Sequence, residues 1–397
     1  MNKDSALPFG VPYSLFYIFV FMTMGIILVF WPLWLSERGL SKSEIGNILS
    51  IPPFLMLLVS PAIAFVSEKS GYSRAVLFAT ALISCGFFFA FYFAEDFYLY
   101  LLLQAGASCC FLSLIPLGDS QTLKAVRLYD LNYGRIRLWG SISFIVTSFG
   151  VGYLLDTIDI NWTLWLILCA LITVAFFSLI LPQLPKEQEK SQGNPRIFLR
   201  KPSFLFFILG AGMIIGSHAA YYAFGSLYLT SLGYSKSLIG FIWAFGVMAE
   251  VILFAFSNKL FKSARSLHLI IIGSIAGMIR WGTLGFSDSM ILIIGIQVLH
   301  ALTFGLTHLG SMSFITKHAP KDVSASAQSL YSSIANGLMM GLSIFVSGLL
   351  FDIDPSYAFL AMVGMAATGG TIIWIVTKIV PPSSAPPAKE YTHQELP

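Results

Sequence analysis

Asp119, Glu250 and Arg280 are ionisable side chains set well inside long apolar runs, and Arg137 stands at the mouth of another. The rest of the chain's 23 basic and 19 acidic residues gather between the runs. An ionised group in hydrocarbon costs several kcal/mol, so such residues are rare, usually paired, and typically mark an ion or substrate pathway. Glu250, Arg280 and His300 fall on three successive runs, the combination a titratable network needs. A buried carboxylate favours its proton, a neighbouring guanidinium opposes that, and the balance can switch. His308 lies eight residues after His300, on a broadly similar helical face. Asp119 near the end of the fourth run and Arg137 at the start of the fifth can meet across a short loop, either as substrate ligands or as a bridge that staples two helices. His218, inside the seventh run, needs a polar partner, either a neighbouring helix or a substrate.

Other chemistries fit poorly. His300 and His308 lack metal-ligand spacing, and no Ser, Cys or acidic cluster marks a nucleophile. No phosphate-binding Gly-x-x-x-x-Gly-Lys-Ser/Thr loop occurs, so neither an enzyme nor an ATP-driven pump is expected. Cys85, Cys109, Cys110 and Cys169 read as packing residues.

The elements that must position these groups follow from composition. With 56% hydrophobic and 11% charged residues, the chain of 397 residues is too apolar for a soluble protein. Its apolar runs exceed the roughly 20 residues that cross a bilayer as a helix. Twelve spans are predicted, at 12–35, 43–66, 74–94, 97–123, 137–156, 161–182, 203–231, 236–259, 267–286, 289–316, 324–351 and 355–379. No signal peptide is expected before the first. Placing the amino terminus inside leaves only Arg38, Lys42 and Lys236 of the basic residues outside and Arg280 within a span, so both termini are expected in the cytoplasm. The span 183–202, rich in charge, Pro and Gln, reads as a cytoplasmic linker between halves 1–182 and 203–379, with 380–397 as a cytoplasmic tail. The halves repeat: LSERGLSKSEIGNI (Leu35 to Ile48) and LTSLGYSKSLIGFI (Leu229 to Ile242) share eight of fourteen residues. An even number of spans separates the copies, giving a parallel two-fold repeat whose binding site lies between the halves near the midplane.

The motif YGRIRLWGS (Tyr133 to Ser141), with an acid one span earlier, resembles the oligosaccharide:proton symporters of the lactose permease type, within the major facilitator superfamily. The resemblance continues in Glu250 on span eight, Arg280 on span nine and His300 on span ten. It implies an all-α integral membrane fold of twelve transmembrane helices in two pseudo-symmetric six-helix bundles. Asp119 and Arg137 would bind substrate, while Glu250, Arg280 and His300 would couple protons. The family's stacking tryptophan falls at Phe144, and its second span-ten glutamate at Thr303, which leaves the proton carrier to Glu250, Asp119 or a histidine. Longer stretches are similar to the phenylpropionate permease branch: SHAAYYAFGSLY from Ser217, GVMAEVILFAFSNKLF from Gly246, and QVLHALTFGLTHL from Gln297. That branch implies proton-coupled uptake of an aromatic carboxylate. Arg137 or Arg280 would supply a guanidinium fork, and Tyr222, Phe144 and His218 would line the ring's site.

The expectation is therefore a secondary transporter importing a small aromatic carboxylate such as 3-phenylpropionate by alternating access. It would be a monomer in a bacterial inner membrane, driven by the proton gradient with no cofactor, no metal and no nucleic-acid partner. Symport of a sugar or nucleoside, and efflux of a small amphipathic compound, remain open alternatives.

Overall fold

The computed structural model describes residues 7–185, 201–319 and 323–380. Most of the predicted linker and nearly all of the tail lie outside the described residues. Among the described residues twelve helices are long and apolar enough to cross a membrane: α1 (Gly10–Glu37), α2 (Lys42–Ser70), α3 (Ser73–Phe93), α4 (Phe97–Tyr129), α5 (Tyr133–Thr157), α6 (Trp162–Ile180), α7 (Pro202–Ser231), α8 (Lys236–Ser257), α9 (Ser266–Phe286), α10 (Met290–His318), α11 (Ser326–Ile353) and α12 (Pro355–Ile379).

Local chemistry sets the boundaries. The duplicated segment folds twice into the same device. Gly39 and Gly233 each adopt φ of 82°, a left-handed conformation that glycine accepts without strain. Two residues later Ser41 and Ser235 cap α2 and α8, accepting the Glu44 and Leu238 N–H groups. Ser41 and Glu44 complete a capping box. Asp354 caps α12 through the Ser356 N–H (2.7 Å), and its bonds to Ser356 hold its carboxyl below the usual carboxylate range.

In the first half α1 packs on α5 and α6, α4 on α2 and α3, and α3 on α6; in the second, α12 packs on α7 and α9, and α9 on α10. The halves meet chiefly along α2 with α11, α5 with α8, and α1 with α7, whereas α4 and α10 pack within their own halves. The closest approach is at the end that the charge bias assigns to the outside. A Cβ on Gly46 of α2 would lie 2.8 Å from Gly348 Cα of α11, and one on Gly152 of α5 would lie 2.9 Å from the Lys236 carbonyl carbon of α8. Beside each contact a carboxylate of one half receives the first N–H groups of a helix from the other. Asp352 accepts from Lys42 N (3.0 Å) and Ser43 N (2.9 Å), and also from the Ser43 hydroxyl. Asp156 accepts from Lys236 N (2.7 Å) and Ser237 N (3.0 Å). An anion at a helix N-terminus contributes about 0.3–1 kcal/mol when exposed. The acceptors also repeat, as GYLLD (152–156) and GLLFD (348–352). One latch is thus built twice about a pseudo-two-fold axis.

Candidate functional site

The latch joins the halves at one end, and each half carries one of the predicted charge groups. In the first half, Asp119 of α4 is held by two phenols: Tyr17 of α1 donates to Oδ1, and so does Tyr133 of α5 at 2.9 Å. Arg137 Nε stands 3.9 Å from the same oxygen, so the ion pair is loose. The guanidinium instead lies 3.9 Å over the Phe21 ring and 5.2 Å from Tyr17. A Cβ on Gly140 would sit 3.2 Å from an Arg137 terminal nitrogen and 3.0 Å from the Phe21 ring, so the glycine one turn on in GRIRLWG leaves the guanidinium room to fold. Both charged side chains keep over a quarter of their surface exposed (29% for Asp119, 28% for Arg137). A cation flanked by aromatic faces and only weakly paired can take an incoming anion.

The second half is sealed. Arg280 of α9 is 1% exposed, between the rings of Tyr221 (5.0 Å) and Trp281 (4.7 Å). It donates to Gln297 Oε1 (2.8 Å) and His300 Nδ1 (3.0 Å), with Thr303 Oγ1 at 3.4 Å. Its Nε is buried with no partner among the described residues. The three acceptors fall at positions i, i+3 and i+6 of α10, which an undistorted α-helix would fan apart. Here α10 is a 3₁₀ turn over Ile296–Leu299 and a π-helix over Ala301–Leu306. A 3₁₀ turn eclipses i and i+3, aligning Gln297 with His300.

Arg280 does not meet Glu250 directly. His300 stands between them, its Nε2 3.2 Å from Glu250 Oε2. A guanidinium only donates, so Nδ1 of His300 must accept, and the ring proton resides on Nε2, facing the carboxylate. Glycines on both helices make this fit: a Cβ on Gly246 of α8 would lie 3.5 Å from His300 Cβ, and one on Gly305 of α10 would lie 3.9 Å from Glu250 Cγ.

The remaining predicted residues divide. His218 is fully buried, its Nδ1 donating to Ile215 O (2.9 Å) and its Nε2 accepting from Thr303 (3.0 Å). With both nitrogens engaged, it ties α7 to α10, and no nitrogen is left for a ligand. Tyr222 packs beside it (5.5 Å between ring centroids) and stacks on Trp243 (6.0 Å), keeping partial exposure. Phe144 is 4% exposed with its carbonyl against Gly25, and among the described residues it makes no ring contact with Tyr17 or Phe21. Those two rings, not Phe144, flank Arg137. They lie in an apolar run of α1 whose pattern singles out neither. Gln297 was visible in sequence only as an intramembrane amide.

Twelve helices, a duplicated half and charged side chains set within α4, α8 and α9 are those of a major facilitator transporter, and residues 11–361 match the MFS_1 like family, to which the chain belongs. It is a multi-pass membrane transporter and not an enzyme. The probable 3-phenylpropionic acid transporter of Escherichia coli (strain K12) is 31% identical over 85% of this chain and 90% of its own. The maltose permease of Geobacillus stearothermophilus is 24% identical over 86% and 87% of the two chains. Among solved structures, a mutant of the nucleoside transporter NupG superposes with a TM-score of 0.84 at 16% identity, covering 93% of this chain and 100% of that one.

Proposed function

We propose that this chain imports a small aromatic carboxylate such as 3-phenylpropionate together with protons, by alternating access in a bacterial inner membrane with both termini in the cytoplasm. The observation that carries the reading is the contrast between the two guanidiniums. Arg137 is part exposed over the rings of Phe21 and Tyr17, with only a 3.9 Å contact to Asp119. Arg280 is sealed and reaches Glu250 only through His300. The first suits an aryl anion, whose ring can lie on aromatic faces while its carboxylate takes the fork. The second orients His300, whose Nε2 faces Glu250, the acid that stands in for the family carboxylate that Thr303 replaces. The 31% identical relative named for 3-phenylpropionic acid supports this substrate class.

Alternating access follows from the latch. Closure at the α1–α2 and α7–α8 turns is one state of such a cycle, in which the halves 1–182 and 203–379 rock about that end and present the site to the opposite, cytoplasmic side. Substrate would enter with the proton on Glu250 and leave once that proton is lost. A second reading, symport of a sugar or nucleoside, is favoured by Asp119 and its two phenols, a set that could take sugar hydroxyls. Competition decides between them. Uptake of labelled 3-phenylpropionate into proteoliposomes should be blocked by unlabelled aryl carboxylates and left intact by sugars and nucleosides; the opposite pattern favours the second reading.

A further inference from the structure

The geometry points to His308 as the group that takes the proton from Glu250 and passes it to the inner vestibule. This rests on the proton-coupling reading above and adds a residue and a route to it.

His300 cannot do this work where it stands. Its Nδ1 accepts from Arg280 and its Nε2–H faces Glu250. A second proton on Nδ1 would set two donors against each other inside a buried site. His300 therefore orients Glu250, and a proton leaving the carboxyl needs a different base.

His308 is placed for it. Along α10 the rings of His300, Phe304 and His308 form a continuous ladder, with centroids 5.6 Å and 6.0 Å apart and interplanar angles of 19° and 5°. Glu250 lies against Gly305, which falls between the two histidines on α10. Phe254, one turn past Glu250 on α8, packs its ring 6.5 Å from His308. The step from Glu250 to His308 thus runs inward along both helices. His308 is exposed, and neither of its ring nitrogens has a hydrogen-bond partner among the described residues. The charged and titratable groups around this step are Glu250 on α8, His300 on α10, Arg280 on α9 and His218 on α7 behind His300, and Arg137 on α5 of the other half. The proton balance is simple. The carboxyl O–H gives its proton to an imidazole nitrogen, directly after a side-chain rotation or through one water, and the imidazolium releases it to the inner solution. Glu250 is left as the carboxylate that faces His300.

The test uses the full chain in proteoliposomes with 3-phenylpropionate as probe, comparing wild type, Glu250→Gln, His308→Gln and His308→Glu. Two rates are read: exchange without a gradient, which moves no net proton, and gradient-driven uptake as internal pH is varied. His308→Gln should keep exchange within about twofold yet slow net uptake by at least roughly tenfold, as loss of a proton-transfer group does. It should also lose the internal-pH dependence near the histidine range of about 6.5, and His308→Glu should restore uptake with that dependence moved toward about 4.3. Net uptake and an internal-pH profile unchanged in His308→Gln would overturn the assignment, as would an equal fall in exchange, which marks a structural role. If wild type shows no gradient-driven uptake, or Glu250→Gln retains it, the coupling reading itself fails and takes this one with it.

Discussion

Replacing Asp156 and Asp352 by asparagine should open the outer end of the transporter. Each carboxylate receives two backbone N–H groups from the first turn of a helix in the other half, at 2.7–3.0 Å. Asparagine keeps an acceptor but removes the negative charge facing the helix dipole, a loss of about 1 kcal/mol for each site. The two latches lie in separate helix pairs, so their effects should add. About 2 kcal/mol corresponds to a roughly 30-fold shift in the ratio of outer-closed to outer-open molecules, at 1.4 kcal/mol per factor of ten. Spin labels at Glu37→Cys and Tyr357→Cys, exposed positions flanking the α2–α11 junction, read that ratio as two distance populations in a Cys169→Ser background. The longer distance should gain population in each single variant and gain again, multiplicatively, in the double variant. A double variant with the wild-type distribution would refute the claim that these carboxylates hold the end shut.

Three further outcomes follow from the same geometry. Glu250→Gln should bind and exchange substrate yet lose accumulation against a gradient, measured as counterflow set against gradient-driven uptake in the same vesicles. Arg137→Lys keeps the charge but loses the planar stack over Phe21, and should weaken binding by about 1–2 kcal/mol, or roughly 5- to 30-fold, in equilibrium binding to the purified protein. Gly46→Val would drive a side chain into the backbone of Gly348, where neither strand of chain can yield. It should hold the outer end open in the spin-label assay and abolish uptake, while binding from the outer side persists.

Much of this was legible in the sequence. Runs of about 20 apolar residues leave a chain little choice but to span a bilayer as helices, and the copy of Leu35 to Ile48 at Leu229 to Ile242 exposed the duplication. The cost of charge in hydrocarbon also pointed to Asp119, Arg137, Glu250 and Arg280, which the structure sets in two polar groups, one in each half. The partners were harder. Glu250, Arg280 and His300 read as one network, but α10 abandons regular α-helix around His300, and only that distortion turns Gln297, His300 and Thr303 onto one guanidinium. No spacing rule for a regular helix predicts it. Tyr17 and Phe21 were hidden because α1 is apolar on every face, and Phe144 was favoured on family position when packing had already buried it. Asp156 and Asp352 stand at the ends of apolar runs, where acids are common, although their GYLLD and GLLFD settings carry the repeat that gives them their role.

The most direct test of the account is accumulation of radiolabelled 3-phenylpropionate in proteoliposomes holding the full chain under an imposed inward proton gradient. The account predicts a transient internal concentration above the external one, abolished by a protonophore and absent in Glu250→Gln. Equilibration without accumulation in the wild-type protein, or accumulation indifferent to the protonophore, would contradict it.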